Sequence, residues 1–362
     1  MTDRRSDKGG LQVCNARENC SSRGRHWNID FHSLLRLVLR QRFLNGVIWL
    51  LSVNSHSPMT TEDQRSVHVP VMPREVMQML QLSAGLTVLD GTLGAGGHSR
   101  LILKSLGETG RLIGLDRDPM MLALATQNLA SIQHPGTSFV RSSYADAETV
   151  LQTLGIERVD RVLLDLGLSS DQLSDRERGF GFDAGGPLDM RFHPHENKPV
   201  SELLRTLDGS ELEKIFREFG EEPAATKVAS EIVRRRQQGN PVVTTEDLEA
   251  CVSAAVGAAK NAGGRNSATR VFQALRIAAN NELQHVERML NNVLPKIMKT
   301  DGIVVILSFH SLEDRIVKNA FKGHQGWQVL TKTPMEATPA EVRLNPRSRS
   351  AKLRATKWLG SC

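Results

Sequence analysis

From Thr87 onward the chain alternates short apolar runs with longer segments whose apolar positions recur at helical spacing. Residues 87–89, 111–115, 138–141 and 159–165 have the length and β-branched character of buried strands. Residues 98–106, 119–130 and 145–154 read as the helices between them. Strand–helix alternation predicts a parallel sheet covered on both faces. Right-handed crossovers would then place every strand's C-terminal end along one edge, where ligands bind.

After Asp165 the rhythm changes. Roughly one hundred residues carry no strand pattern. They open with a Gly/Phe-rich loop over 178–192 and continue as amphipathic helices. Ser210 and Glu213 predict a capping box for a helix through Phe219, Asn240-Pro241 breaks the next helix, and Thr244 or Thr245 caps another. Ala262-Gly263-Gly264 predicts a flexible joint. A long helix over 268–298 would lead into a buried strand at 302–307. The expected layout is an N-terminal extension (1–58), a first sheet segment (59–172), an all-helical insert (173–267) and a second sheet segment with a basic tail (268–362).

Charge refines this layout. The formal net charge is +6, but residues 1–58 hold nine Lys/Arg against four Asp/Glu, a net of +5, which leaves +1 for the remainder. The stretch 343–357 has six basic residues and no acid, a composition that suits phosphates as well as a solvated face. Residues 34–53 are largely apolar yet carry Arg36, Arg40 and Arg42, which argues against a membrane span. The extension is expected to be unstructured or artefactual; a transit peptide, from its Arg/Ser content, and a translation start at Met59 are the alternatives. A cytoplasmic location is expected, or a mitochondrial one if the leader is such a peptide. The four cysteines show neither metal-ligand spacing nor a disulfide framework, so no metal is expected.

The chemistry concentrates at strand ends. Val88-Leu89-Asp90 is followed by four glycines within seven residues, Gly91, Gly94, Gly96 and Gly97, just before a helix. That is a turn through which backbone can approach a ligand closely. Twenty residues beyond Gly96, the second strand ends in Asp116, where a Rossmann-type sheet places the acid that holds a ribose. A nucleoside-bearing cofactor follows, although its identity stays open on spacing. Ser99 replaces the third glycine of a nicotinamide fingerprint, and Thr92 replaces the first glycine of Asp-x-Gly-x-Gly-x-Gly. The fourth strand ends in Asp165-Leu166-Gly167-Leu168-Ser169-Ser170 and the resumed strand in Ser308-Phe309-His310-Ser311, with Ser311 expected to cap the next helix.

His68-Val69-Pro70-Val71, the 90–98 loop, Leu115-Asp116-Arg117-Asp118-Pro119 and Leu164 to Ser170 form one set of motifs. Arg178-Gly179-Phe180-Gly181-Phe182, Gly186 to Arg191, Ala268 to Arg276 and Ser308 to Arg315 form another. Together they resemble the ribosomal RNA small subunit methyltransferase H (MraW) family over about residues 67–357. The resemblance implies a class I S-adenosylmethionine (SAM)-dependent methyltransferase, a Rossmann-like α/β sheet with an inserted all-helical domain. It implies methylation of a cytidine amino group in the decoding region of 16S rRNA, presented naked or within the small ribosomal subunit, by a monomer or homodimer. Its cofactor contacts would fall on Gly96, Gly97, His98, Asp116, Tyr144, Asp165 and Gln172. Asp165, Ser308 and His310 are the catalytic candidates, and Phe180, Phe182, Phe192 and Phe309 are candidates to stack on the base. An NAD-dependent oxidoreductase and a non-catalytic RNA-binding assembly factor are the competing readings.

Overall fold

Alternate residues along each central strand bury on opposite faces of one sheet. Val88, Leu112, Leu163 and Val305 join one apolar cluster, while Leu89, Ile113, Leu164 and Val304 join the other. Strands covered on both sides must be apolar throughout, which is why these read as continuous hydrophobic runs. The computed structural model describes residues 69–181, 186–257, 267–323 and 325–360. His68, Phe182, the 262–264 joint and the whole extension lie outside the described residues.

The strands are β1 (Thr87–Asp90), β2 (Arg111–Asp116), β3 (Thr137–Arg141), β4 (Val159–Asp165), β5 (Met298–Ser308), β6 (Trp327–Val329), β7 (Met335–Glu336) and β8 (Lys352–Trp358). Their order is β3-β2-β1-β4-β5-β8-β6, with β7 also paired to β8. The first five are parallel, and β8 runs antiparallel to β5. This is the Rossmann-like class I arrangement that the motifs implied. Strand order reverses between β1 and β4, so the ligand crevice opens at their carboxyl ends.

Helix α1 (Pro73–Leu80) and α2 (Gly97–Leu106) cover one face, together with α3 (Pro119–Leu129). Helix α4 (Ala147–Thr153) covers the other. Between β4 and β5 come α5 (Ser170–Ser174), α6 (Val200–Thr206), α7 (Gly209–Gly220), α8 (Ala225–Gln237), α9 (Thr245–Val256) and α10 (Ser267–Asn280). The helices α6 to α10 bury Leu204, Phe216, Ile232, Cys251 and Leu275 in a core of their own. Helix α10 contributes Ala268, Val271 and Phe272 to that core, so the helical unit extends past residue 267 to Asn280.

Several local expectations need correction. The capping box of α7 is Asp208 with Glu211, not Ser210 with Glu213: the Asp208 carboxylate accepts from Glu211 N, and Glu211 accepts from Asp208 N. Glu213 pairs instead with Arg217 and Thr226. The long helix over 268–298 is broken. Asn281 adopts φ 52°, a left-handed conformation Asn tolerates, and separates α10 from α11 (Glu282–Arg288). A π-turn (Met289–Val293) and α12 (Leu294–Ile297) follow, then β5 begins at Met298. Ser311 does not cap α13 (Ser311–Gly323); it is that helix's first residue and donates to Glu221. The basic stretch is mostly structure. It comprises α14 (Pro339–Leu344), a 3-10 turn (Pro346–Ser350) and β8, where Arg354 is buried against Asp314. Among the described residues no helix is long and apolar enough to cross a membrane.

Candidate active site

The turn after β1 is held by the two residues that departed from glycine. Buried Asp90 accepts from Thr92 N at 3.2 Å and from the Ser99 hydroxyl at 2.7 Å, tying the loop's start to the first turn of α2. The Thr92 hydroxyl accepts from Asp165 N at 2.6 Å, which fixes the tip of β4 against the same loop. Hydroxyls at these positions supply bonds no glycine has. Gly96, by contrast, must be glycine: φ is +85°, and a Cβ there would lie 2.9 Å from Leu129.

Asp116 closes the floor. One carboxylate oxygen accepts from Gly94 N at 2.8 Å and the other from Asp118 N at 2.9 Å. Burial nevertheless pushes this carboxyl up to about 7, against the pull of those two bonds. Asp165 is likewise raised to about 7 by burial, with Arg347 opposing the shift and Glu313 reinforcing it. His98 donates from Nε2 to the Val71 carbonyl at 2.9 Å, and burial lowers its pKa, so the ring is neutral. Its Nδ1 lone pair then faces Asp165 Oδ2 at 3.5 Å. Two such acceptors call for a donor between them, either Asp165's own proton or a donor supplied by a ligand.

One cleft at the strand tips is lined by Gly97, His98, Asp116, Tyr144, Asp165 and Gln172. The chain folds so that six of the seven expected cofactor residues meet there. Gly96 is the exception and sits behind the lining, against Leu129. Gln172 completes a capping box on Ser169 and donates from Nε2 to buried Asp118 at 2.8 Å, so it forms a fixed wall. Asp118 also holds Arg178 at 2.9 Å, linking this wall to the Gly/Phe loop.

A second cavity adjoins the first, with Phe180, Phe309, Gln273, Arg276 and His310 among its walls. Gly167, Leu168 and Arg347 line both. Gly167 has φ +122° and lies so close to Phe309 that a Cβ would meet the ring at 3.1 Å. Of the catalytic candidates, Asp165 lines the first cavity and His310 the second. Ser308 is at neither: it is buried, with its hydroxyl turned to the Lys352 carbonyl across β5 and β8. Phe192 lines the first cavity and stacks on Phe180 at 5.7 Å.

Sequence reasoning missed a buried charge network between the cavities. Arg276 grips Glu282 through two bonds of 2.8 and 2.9 Å. Burial raises the Glu313 pKa, but neighbouring His310 and Arg276 outweigh it and leave the carboxyl below its usual range. His310 Nε2 lies 3.0 Å from Glu313 Oε1 but off the line of a hydrogen bond. Glu282, His310 and Glu313 bring possible ligand atoms within 4.8 Å. Arg276 neutralises Glu282 and His310 lies beside Glu313, so the group reads as an ion-pair network. Glu282 and Glu313 sat in helical pattern, and only their burial distinguishes them.

Residues 65–359 match the family described as the MraW methylase family. The chain is 42% identical over 313 residues to a protein of Trichlorobacter lovleyi named ribosomal RNA small subunit methyltransferase H, covering 81% of this chain and 98% of that one. A protein of the same name from Sorangium cellulosum is 44% identical over 293 residues, covering 81% and 91%. One from Thermotoga neapolitana is 42% identical over 291 residues, covering 80% and 95%.

Proposed function

Because this chain belongs to the MraW methylase family, we propose that it methylates the exocyclic amine of a cytidine in the decoding region of 16S rRNA. At the coarser level it is an rRNA small subunit methyltransferase with SAM as cofactor, and the dinucleotide reading does not survive the family match.

The first cavity fits that cofactor. The acceptor pair of His98 Nδ1 and Asp165 would hold its ammonium, and the first turn of α2 would receive its carboxylate. Asp116 would accept from the ribose hydroxyls, and Tyr144 would pack beside the adenine. Bound SAM supplies a methyl group already activated by the sulfonium, so the protein need offer no nucleophile. What the protein must do is present the acceptor nitrogen in line with the methyl carbon.

The observation that carries the proposal is the adjoining second cavity. A base taken out of its stack would enter between Phe180 and Phe309, with its amine directed to the Gly167–Leu168 junction. Cytosine's amine is a weak nucleophile because its lone pair is shared with the ring. Carbonyl acceptors of the 165–168 loop would grip its hydrogens and localise that pair. The nitrogen must then lose a proton; His310 lines the second cavity, and it would take that proton on Nδ1 only by releasing the 3.4 Å contact from Glu313 N, with ionised Glu313 stabilising the resulting imidazolium at Nε2.

The test compares small-subunit rRNA, digested to nucleosides, from cells with and without the gene. Loss of N4-methylcytidine supports the proposal. An unchanged inventory of methylated nucleosides would favour a non-catalytic assembly role.

A further inference from the structure

Arg347 lies where the two cavities meet, yet nothing in methyl transfer itself asks for a cation there. It sits on the 3-10 turn Pro346–Ser350, donates from Nη1 to the Ser170 hydroxyl at 2.7 Å, and is drawn electrostatically toward Asp165 and Asp171. Burial lowers its pKa, yet no carboxylate pairs with it at ion-pair distance among the described residues. That contrasts with three of the other five basic residues in the same stretch. Lys352 and Arg354 reach Asp314, and Lys357 reaches Asp301.

We propose that Arg347 grips a backbone phosphate of the target nucleotide, seating the base in the second cavity. The inference rests on the rRNA methyltransferase reading above. A planar guanidinium with one committed bond has donors left for two phosphate oxygens. The donor's own anion has another set of donors in the first turn of α2, whose Gly97 and His98 line the first cavity. The turn that carries Arg347 belongs to the acceptor side, since Pro346, Arg349 and Ser350 all line the second cavity.

The experiment uses the full chain carrying Arg347→Gln or Arg347→Lys, with unmodified small subunits as methyl acceptor. SAM affinity is titrated without RNA, and KM for the subunits is measured at several salt concentrations. Arg347→Gln is expected to raise KM for RNA by about tenfold, as for loss of one hydrogen-bonded charge. SAM affinity should change several-fold less than KM for RNA, since Arg347 also stabilises the Asp165 carboxylate, and the salt dependence of KM should become shallower by about one unit of log–log slope. Arg347→Lys should recover part of the loss, because a phosphate accepts a point charge. An unchanged KM for RNA, or a fall in SAM affinity as large as the RNA effect, would overturn the inference. Failure of the wild-type protein to methylate the subunits at all would instead sink the underlying functional reading.

Discussion

Replacing Asp116 by Asn removes one charge and almost nothing else in volume. An ionised carboxylate offers about four lone-pair sites. Gly94 N and Asp118 N use two of them at 2.8 and 2.9 Å, which leaves two for the ribose hydroxyls. The amide keeps one oxygen and turns an NH2 toward a backbone N–H, so the loop loses one bond and gains a donor–donor conflict. Hydrogen bonds to charged groups contribute about 1.5–3 kcal/mol each. Losing one such bond to the ribose should therefore weaken SAM binding by roughly 10- to 100-fold. Isothermal titration of SAM into Asp116→Asn measures this, and a thermal melt shows whether the variant is folded. The pH dependence supplies an internal control. With its pKa raised to about 7, wild-type Asp116 would offer the proposed ribose contact its full set of acceptors only once deprotonated. Affinity should rise from about pH 6 to about pH 8, and the variant should lose part of that rise. A folded variant that binds SAM within twofold of wild type would refute the reasoning.

Four further outcomes follow from the site. Asp116 and Asp165 both have folded pKa values raised by burial from the ordinary 3.8 to about 7, so the empty protein should lose stability as pH rises between those values, and saturating SAM should offset that loss in thermal melts. Gly96→Ala forces a side chain into a left-handed backbone and against Leu129, and should cost about 1–3 kcal/mol in denaturant unfolding. Arg276→Ala leaves Glu282 buried without its partner and should destabilise by about 3–5 kcal/mol, whereas an unchanged midpoint would mean the network is not buried as described. Tyr144→Phe keeps the ring and should bind SAM normally, while Tyr144→Ala should weaken binding about tenfold by removing an aromatic wall.

The sheet was legible because its strands obey one constraint. Burial on both faces makes each a continuous apolar run, and predicted and observed ends agree within a residue or so for β1, β2 and β4. The glycine turn and its two acids were legible because close backbone approach leaves few residue choices. The break at Asn281 was not, since apolar spacing continues through it and partners distant in sequence decide the local conformation. Asn280 accepts from Phe192 N and donates to the Met190 carbonyl, while Arg117 binds the Asn280 carbonyl. Strand β8 was hidden by its charges. Lys352-Leu353-Arg354-Ala355 does alternate, but counting basic residues pointed only to a phosphate-binding or solvated tail, and only Asp314 explains how Arg354 is buried. Thr92 and Ser99 looked like defects in glycine motifs, yet their hydroxyls are what lock the loop. Arg347 was counted in the tail, and only the fold brings it to the junction.

The most direct measurement incubates the purified chain with methyl-labelled SAM and small ribosomal subunits that lack the modification, then maps the label by mass spectrometry of rRNA fragments. The expected result is label on the exocyclic nitrogen of one cytidine in the decoding region. Label on another atom or another base, or none at all from folded protein that binds SAM, would contradict the proposed reaction.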